Sequence, residues 1–270
     1  MTSLSPSALS QAALSQAAIS QSAEERFGIK VDSGDVKKLQ EYLLKTYGRE
    51  DEESIDKIFS SGEAAGFLTV NETYFFREPI HFSFLWSFLP SFEGTGIRIC
   101  SAAVASGCEA YSIAMLIETY NKSIAKPLQY HIDAFDLNPK VIENACKGIY
   151  SERALREDGS NFRYMAAPYL TKLESGYQVN SSLKKNICFF EHNLMDALNR
   201  EAYDFVFFRN AFIYFLPQYR ERVLSNLSAV LKEDGILIAG VSETAGICHD
   251  DLDAKNQGDV FYFQYMKRRK

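Results

Sequence analysis

The apolar positions of this chain follow two rhythms, and the change between them falls near residue 97. Before it, Val36, Leu39, Leu43 and Tyr47 recur at helical spacing within DVKKLQEYLLKTY (35–47), and Gly48 supplies a stop. DEESIDKIF (51–59) reads as a second short helix, with acids in its first turn that complement the helix dipole. Residues 1–23 are built on a five-residue near-repeat, ALSQA, ALSQA, AISQS. A period of five drifts around a helix and makes no single apolar stripe, so residues 1–26 are expected to form a flexible Ser/Ala/Gln-rich arm. Residues 27–65 then read as a small helical N-terminal domain.

From residue 97 short apolar runs alternate with helical stretches. IRICSA (97–102), YHIDAFD (130–136), NICFF (186–190), YDFVFF (203–208) and GILIAGV (235–241) read as strands, and VFYFQYM (260–266) closes the series. EAYSIAMLIETY, PKVIENACKG and PQYRERVLSNLSAVLK read as helices, the second with Pro at its start and Gly at its end. Strands separated by helices imply an α/β domain over residues 66–270, a mainly parallel sheet covered on both faces. Residues 150–186 interrupt the rhythm with Gly, Ser, Tyr and Lys, and are expected to be an insertion above the sheet with short strands of its own.

Composition removes several alternatives. At 46% hydrophobic and 24% charged over 270 residues, the chain can build a sizeable core. A net charge of −6 argues against a general nucleic-acid grip, which needs a basic footprint. Five Cys with no C-x-x-C pair and no His at ligand spacing predict no metal site and reduced thiols in a cytoplasmic protein. The apolar runs are too short for a membrane span, and a monomer is the default expectation.

In such sheets a ligand sits at the carboxyl ends of the strands, where strand order reverses. The loop after the first strand, SAAVASGCEAYS (101–112), lacks the three-glycine dinucleotide fingerprint. Its small residues, Ala103 among them, still allow a close approach to the backbone. Glu109 stands where a phosphate would be repelled, which favours a ligand with a positively charged end. S-Adenosylmethionine, with an ammonium and a sulfonium, suits this loop better than NAD. Asp136, ending the second strand about thirty residues on, is placed to hold ribose hydroxyls.

Six segments in order then resemble the chemotaxis-receptor methyltransferase family, usually called CheR: NETYFFREP (71–79), SGCEAYSIA, FDLN, EHNL, FRNAFIYF and GVSE. The resemblance implies a Rossmann-like, S-adenosylmethionine-dependent methyltransferase domain. It would have a mainly parallel sheet with an antiparallel last strand, a small helical N-terminal domain and an inserted antiparallel β subdomain. It implies methylation of glutamate side chains of bacterial chemoreceptors, with S-adenosylhomocysteine as product and the receptor's cytoplasmic domain as partner. Carried over by position, it implies a cofactor site with Asn71, Thr73, Arg77, Glu109, Asp136, Asn193, Leu194, Arg209 and Asn210, and a catalytic centre with Arg77 and Tyr214. Cys108, Ala110, Asn138 and Val241 depart from the family's usual residues. Methyl transfer to a carboxylate already ionised at neutral pH needs alignment and dryness rather than a base. Arg77 is therefore read as the fork that orients the acceptor, and Phe75 and Phe76 as dry walls. Two further readings stand beside this one: the same reaction on another protein or a small molecule, and a non-catalytic module that binds the cofactor or its product.

Overall fold

The computed structural model of the protein describes residues 6–69, 71–156, 162–199 and 202–266. Four helices come first: α1 (Pro6–Phe27), α2 (Ser33–Tyr47), α3 (Glu52–Ser60) and α4 (Ala65–Leu68). Then follow α5 (Pro79–Phe88), β1 (Ile97–Ala102), α6 (Cys108–Asn121), β2 (Tyr130–Asp136) and α7 (Pro139–Lys147). An insert holds β3 (Ile149–Tyr150), α8 (Phe162–Ala166), β4 (Leu170–Leu173), β5 (Gly176–Val179) and α9 (Ser181–Lys184). The chain closes with β6 (Ile187–Glu191), β7 (Tyr203–Phe208), α10 (Pro217–Ser228), β8 (Leu231–Ala239), β9 (Leu252–Gln257) and β10 (Val260–Tyr265).

The main sheet has the order β6-β2-β1-β7-β8-β10-β9. The first five strands in that order are parallel, and β10 runs antiparallel to both β8 and β9. Strand order reverses between β1 and β7, whose carboxyl ends, Ala102 and Phe208, lie side by side. Successive residues of β7 serve opposite faces, as the pleat requires. Phe205 and Phe207 join a core with α5 and α6, whereas Val206 and Phe208 join one with the N-terminal helices and α10.

α1 corrects the expectation of a flexible arm over residues 1–26. Ile19 and Ala23 are fully buried and Phe27 is 5% exposed, each one turn beyond the last. They pack into the core shared with α2 and α3, and Gln16 Nε2 donates to Gln40 Oε1 at 3.1 Å. The repeat masked this stripe because its first member, Ile19, lies within the last repeat unit AISQS, and only Ala23 and Phe27 extend the four-residue spacing beyond it; residues 1–5 lie outside the described residues. Ile19→Ala is expected to lower stability by about 2–5 kcal/mol, the usual range for emptying a packed aliphatic site. Urea denaturation reads this, and a loss under about 0.5 kcal/mol would show that α1 does not dock.

The segment after α1 is a strap. Lys30 N donates to the Tyr214 carbonyl and Leu216 N to the Gly28 carbonyl, both at 2.9 Å, which makes an antiparallel bridge of Ile29 with Phe215. Gly28 has φ +70°, and a Cβ there would lie 2.5 Å from Met195 Sδ and 3.2 Å from Tyr219 Cβ. Any side chain at this point would have to adopt the left-handed backbone and displace the Met195 thioether. In the insert β3, β5 and β4 form a small antiparallel sheet. Tyr150 of β3 donates its hydroxyl to the Ser106 carbonyl at 2.5 Å, and Phe75 N donates to the Ala154 carbonyl at 2.8 Å. The insert is thereby tied to two of the loops that form the site.

Candidate cofactor and acceptor site

The loop between β1 and α6 shapes the floor. Ala103 and Ala105 have φ +55° and +51°, a region that L-residues with a Cβ occupy only under constraint. The constraint is visible: Val104 N donates to the Phe135 carbonyl at 2.9 Å and Ala105 N to Asp136 Oδ2 at 2.8 Å. Gly107, with φ +89°, closes the turn, and a Cβ there would sit 2.8 Å from the Ala145 Cβ. Small residues are required here by the backbone path as well as by any ligand.

Asp136 is 6% exposed, and its Oδ1 accepts from Asn138 N at 3.0 Å. Burial pushes its carboxyl above the usual aspartate range, an effect tempered by the N–H groups of Asn138, Ala105 and Leu137. Each oxygen accepts a backbone bond and still has a lone pair to offer, which fits ribose hydroxyls as donors.

Arg209, at the end of β7, is a brace. Its Nη1 donates to Glu109 Oε2 at 2.9 Å, and its Nη2 to Glu78 Oε2 at 3.1 Å and to the Arg77 carbonyl. Its side chain is 2% exposed and lies over the Phe82 ring at 5.6 Å. Ser101 Oγ donates to the other oxygen of Glu109 at 2.6 Å. One guanidinium thus faces two carboxylates, and this corner carries net negative charge suited to a cationic group. Burial alone would raise the Glu78 carboxyl, but the close approach of His81, the Arg209 charge and the Asn210 amide hold it well below the usual glutamate range.

Asn210 has φ +59° and is fixed at two points. Its Nδ2 donates to Glu78 Oε1 at 3.0 Å and its backbone N to Glu243 Oε2 at 2.5 Å. Glu243, 2% exposed, also accepts from Gly240 N at 3.0 Å and Ile213 N at 3.2 Å. Asn193 Oδ1 accepts from Met195 N at 3.0 Å, and its Nδ2 donates to the Arg26 carbonyl at 2.6 Å, holding the end of α1 to the sheet.

Asn71, Thr73, Arg77, Ala103, Glu109, Asp136, Asn193, Leu194, Arg209, Asn210 and Tyr214 all line one open cleft. Every site residue expected from the sequence is therefore brought together. The dry walls are a correction. Phe75 and Phe76 are 3% and 2% exposed, pack against Tyr150 and Phe162, and do not line the cleft. Phe27, Phe82, Phe135 and Phe215 line it instead. Sequence reasoning also missed Phe27 at the end of α1, Ile29 of the strap, and the carboxylates of Glu78 and Glu243. The two acids lie inside the quoted segments NETYFFREP and GVSE, so their proximity to the other motif residues was the available signal.

Arg77 is half-buried at the cleft. Its Nη1 donates to the Glu72 carbonyl at 3.0 Å, and no described carboxylate pairs with it. An anionic acceptor entering the cleft would meet that guanidinium. The cleft's acids, its ribose-competent Asp136 and its aromatic walls together fit S-adenosylmethionine.

Comparison with known proteins agrees. The family described as CheR methyltransferase, SAM binding domain, matches residues 71–259. The chain is 35% identical over 188 residues to a chemotaxis protein methyltransferase of Borreliella burgdorferi, covering 66% of this chain and 65% of that one. It is 34% identical to a probable biofilm formation methyltransferase WspC of Pseudomonas aeruginosa, covering 66% of this chain and 43% of that one. A chemotaxis protein methyltransferase of Vibrio parahaemolyticus is 32% identical, with 66% of each chain covered. The chain thus spans less than two thirds of the first two relatives. With the motifs in order along the strand ends and the profile covering residues 71–259, this chain belongs to the CheR methyltransferase family.

Proposed function

We propose that the protein transfers a methyl group from S-adenosylmethionine to glutamate side-chain carboxylates of bacterial chemoreceptors, forming methyl esters. The observation that carries this reading is that the Arg77 guanidinium lines the same cleft as Glu109, Asp136 and Tyr214. When bound, the cofactor supplies a methyl on a sulfonium, which passes to a carboxylate oxygen as the C–S pair returns to sulfur and no proton moves.

The chain's own residues then have defined tasks. Arg77 orients the acceptor carboxylate, and its task is to position that group without neutralising it fully, because over-tight pairing would blunt the attacking oxygen. Tyr214, half-buried at the cleft, presents a ring and a hydroxyl that align the acceptor. Asp136 receives the ribose, the Glu109 corner receives the cationic amino-acid end, and Phe27, Phe82, Phe135 and Phe215 exclude water. The partner is the receptor's cytoplasmic domain, met by a monomeric enzyme in the cytoplasm. Among the described residues no helix is long and apolar enough to cross a membrane.

The test is methyl transfer from tritiated S-adenosylmethionine to receptor-containing membranes. Base-labile release of labelled methanol is the expected result. Cofactor binding without transfer to any acidic protein would overturn the enzymatic reading.

A further inference from the structure

We propose that Glu78 is a positioning residue: its carboxylate sets Arg209 and Asn210 on the loop after β7 and ties that loop to the one after β8. This rests on the reading of the cleft as a cofactor site.

Glu78 does not line the cleft, but two of its partners do. Oε2 accepts from Arg209 Nη2 at 3.1 Å and from Val241 N at 3.3 Å, and Oε1 accepts from Asn210 Nδ2 at 3.0 Å. His81 Nδ1, in the first turn of α5, stands 3.3 Å from Oε2, and its side chain is 2% exposed. Three chain segments far apart in sequence, 78–81, 209–210 and 241, thus converge on one carboxylate.

The backbone supports the same conclusion. Glu78 has φ +56°, and Phe76, two residues earlier, has φ +55°. A long side chain in the left-handed region persists only where its surroundings over-determine it. Here the side-chain bonds are what hold it, with Pro79 following at the start of α5. The carboxylate does what no apolar side chain could: Oε1 and Oε2 both accept from the loop after β7, and Oε2 also accepts from the loop after β8. Glu243 holds the same two loops through their backbone N–H groups, whereas Glu78 also fixes the side chains that face the ligand.

A glutamine at position 78 keeps the shape but offers one acceptor oxygen, and its amide N–H groups would confront the Arg209 or Asn210 donors. In Glu78→Gln, amide exchange read by mass spectrometry is expected to accelerate in segments 209–214 and 240–243 while the rest of the sheet keeps its protection. Calorimetric affinity for S-adenosylhomocysteine is expected to fall about ten- to a hundred-fold, the span of one charge-assisted hydrogen bond. Glu78→Asp, which keeps the charge, is expected to recover part of both effects. If Glu78→Gln does not fold, the aspartate variant carries the exchange measurement, with a smaller acceleration in the same two segments. Unchanged exchange there in a folded variant would overturn the proposal. Wild-type protein that failed to bind S-adenosylhomocysteine would instead remove the cofactor reading, and exchange would still decide whether Glu78 holds the loops.

Discussion

Arg77→Ala is expected to lower methyl transfer about a hundred- to a thousand-fold, the scale seen when one aimed donor is removed from a reacting centre. Stability should stay within about 0.5 kcal/mol, because the lost side chain is half-buried and makes one hydrogen bond, to the Glu72 carbonyl. The Arg77 carbonyl that accepts from Arg209 belongs to the main chain and survives the substitution. Cofactor binding should therefore change less than turnover, a separation that calorimetry with S-adenosylhomocysteine beside a transfer assay can read. Arg77→Lys should recover little, since a point charge does not reproduce the planar fork. Near-normal turnover in Arg77→Ala would remove Arg77 from the acceptor site.

Arg209→Leu is expected to do the reverse, damaging the fold as well as the site. The variant leaves Glu78 and Glu109 facing each other's charge with no cation between them, at side-chain exposures of 22% and 13%. Breaking a buried pair from one side costs about 3–5 kcal/mol. The pH dependence follows in sign. In the native protein the Glu78 carboxyl is held low, so its stabilisation is present above the unfolded glutamate value of about 4.3 and is lost as pH falls below it. Without Arg209 that carboxyl rises and can take up a proton, relieving the repulsion as pH falls. The stability gap between native and variant should accordingly be widest at neutral pH and narrow toward pH about 4. Urea denaturation of both proteins across this range checks it, and a gap independent of pH would show that Arg209 contributes packing alone.

Much of the architecture was legible because strands buried on both faces announce themselves as dense apolar runs. IRICSA, YHIDAFD and YDFVFF matched β1, β2 and β7 residue for residue. β9 was invisible because LDAKNQ is a polar edge strand with Leu252 as its buried residue. α5 was missed for the opposite reason: PIHFSFLWSF is apolar nearly all round, so no period separates one face from another. The site residues could be read from ordered segments, but their division of labour could not. NETYFFREP gives no hint that its two Phe turn inward to Tyr150 and Phe162 while Glu78 turns to Arg209. That difference is set by left-handed backbone at Phe76 and Glu78, which no side-chain pattern encodes.

The bridge of Ile29 with Phe215 bears on how this protein can be taken apart or recombined. The matched family region begins at residue 71, yet Phe27 and Ile29 line the cleft. A fragment excised at that boundary would have an open-sided pocket. A chimaera that borrows its N-terminal helices from a relative would import a foreign piece of pocket lining along with them. In such engineering α1 and the strap must therefore travel together with the sheet they are stitched to.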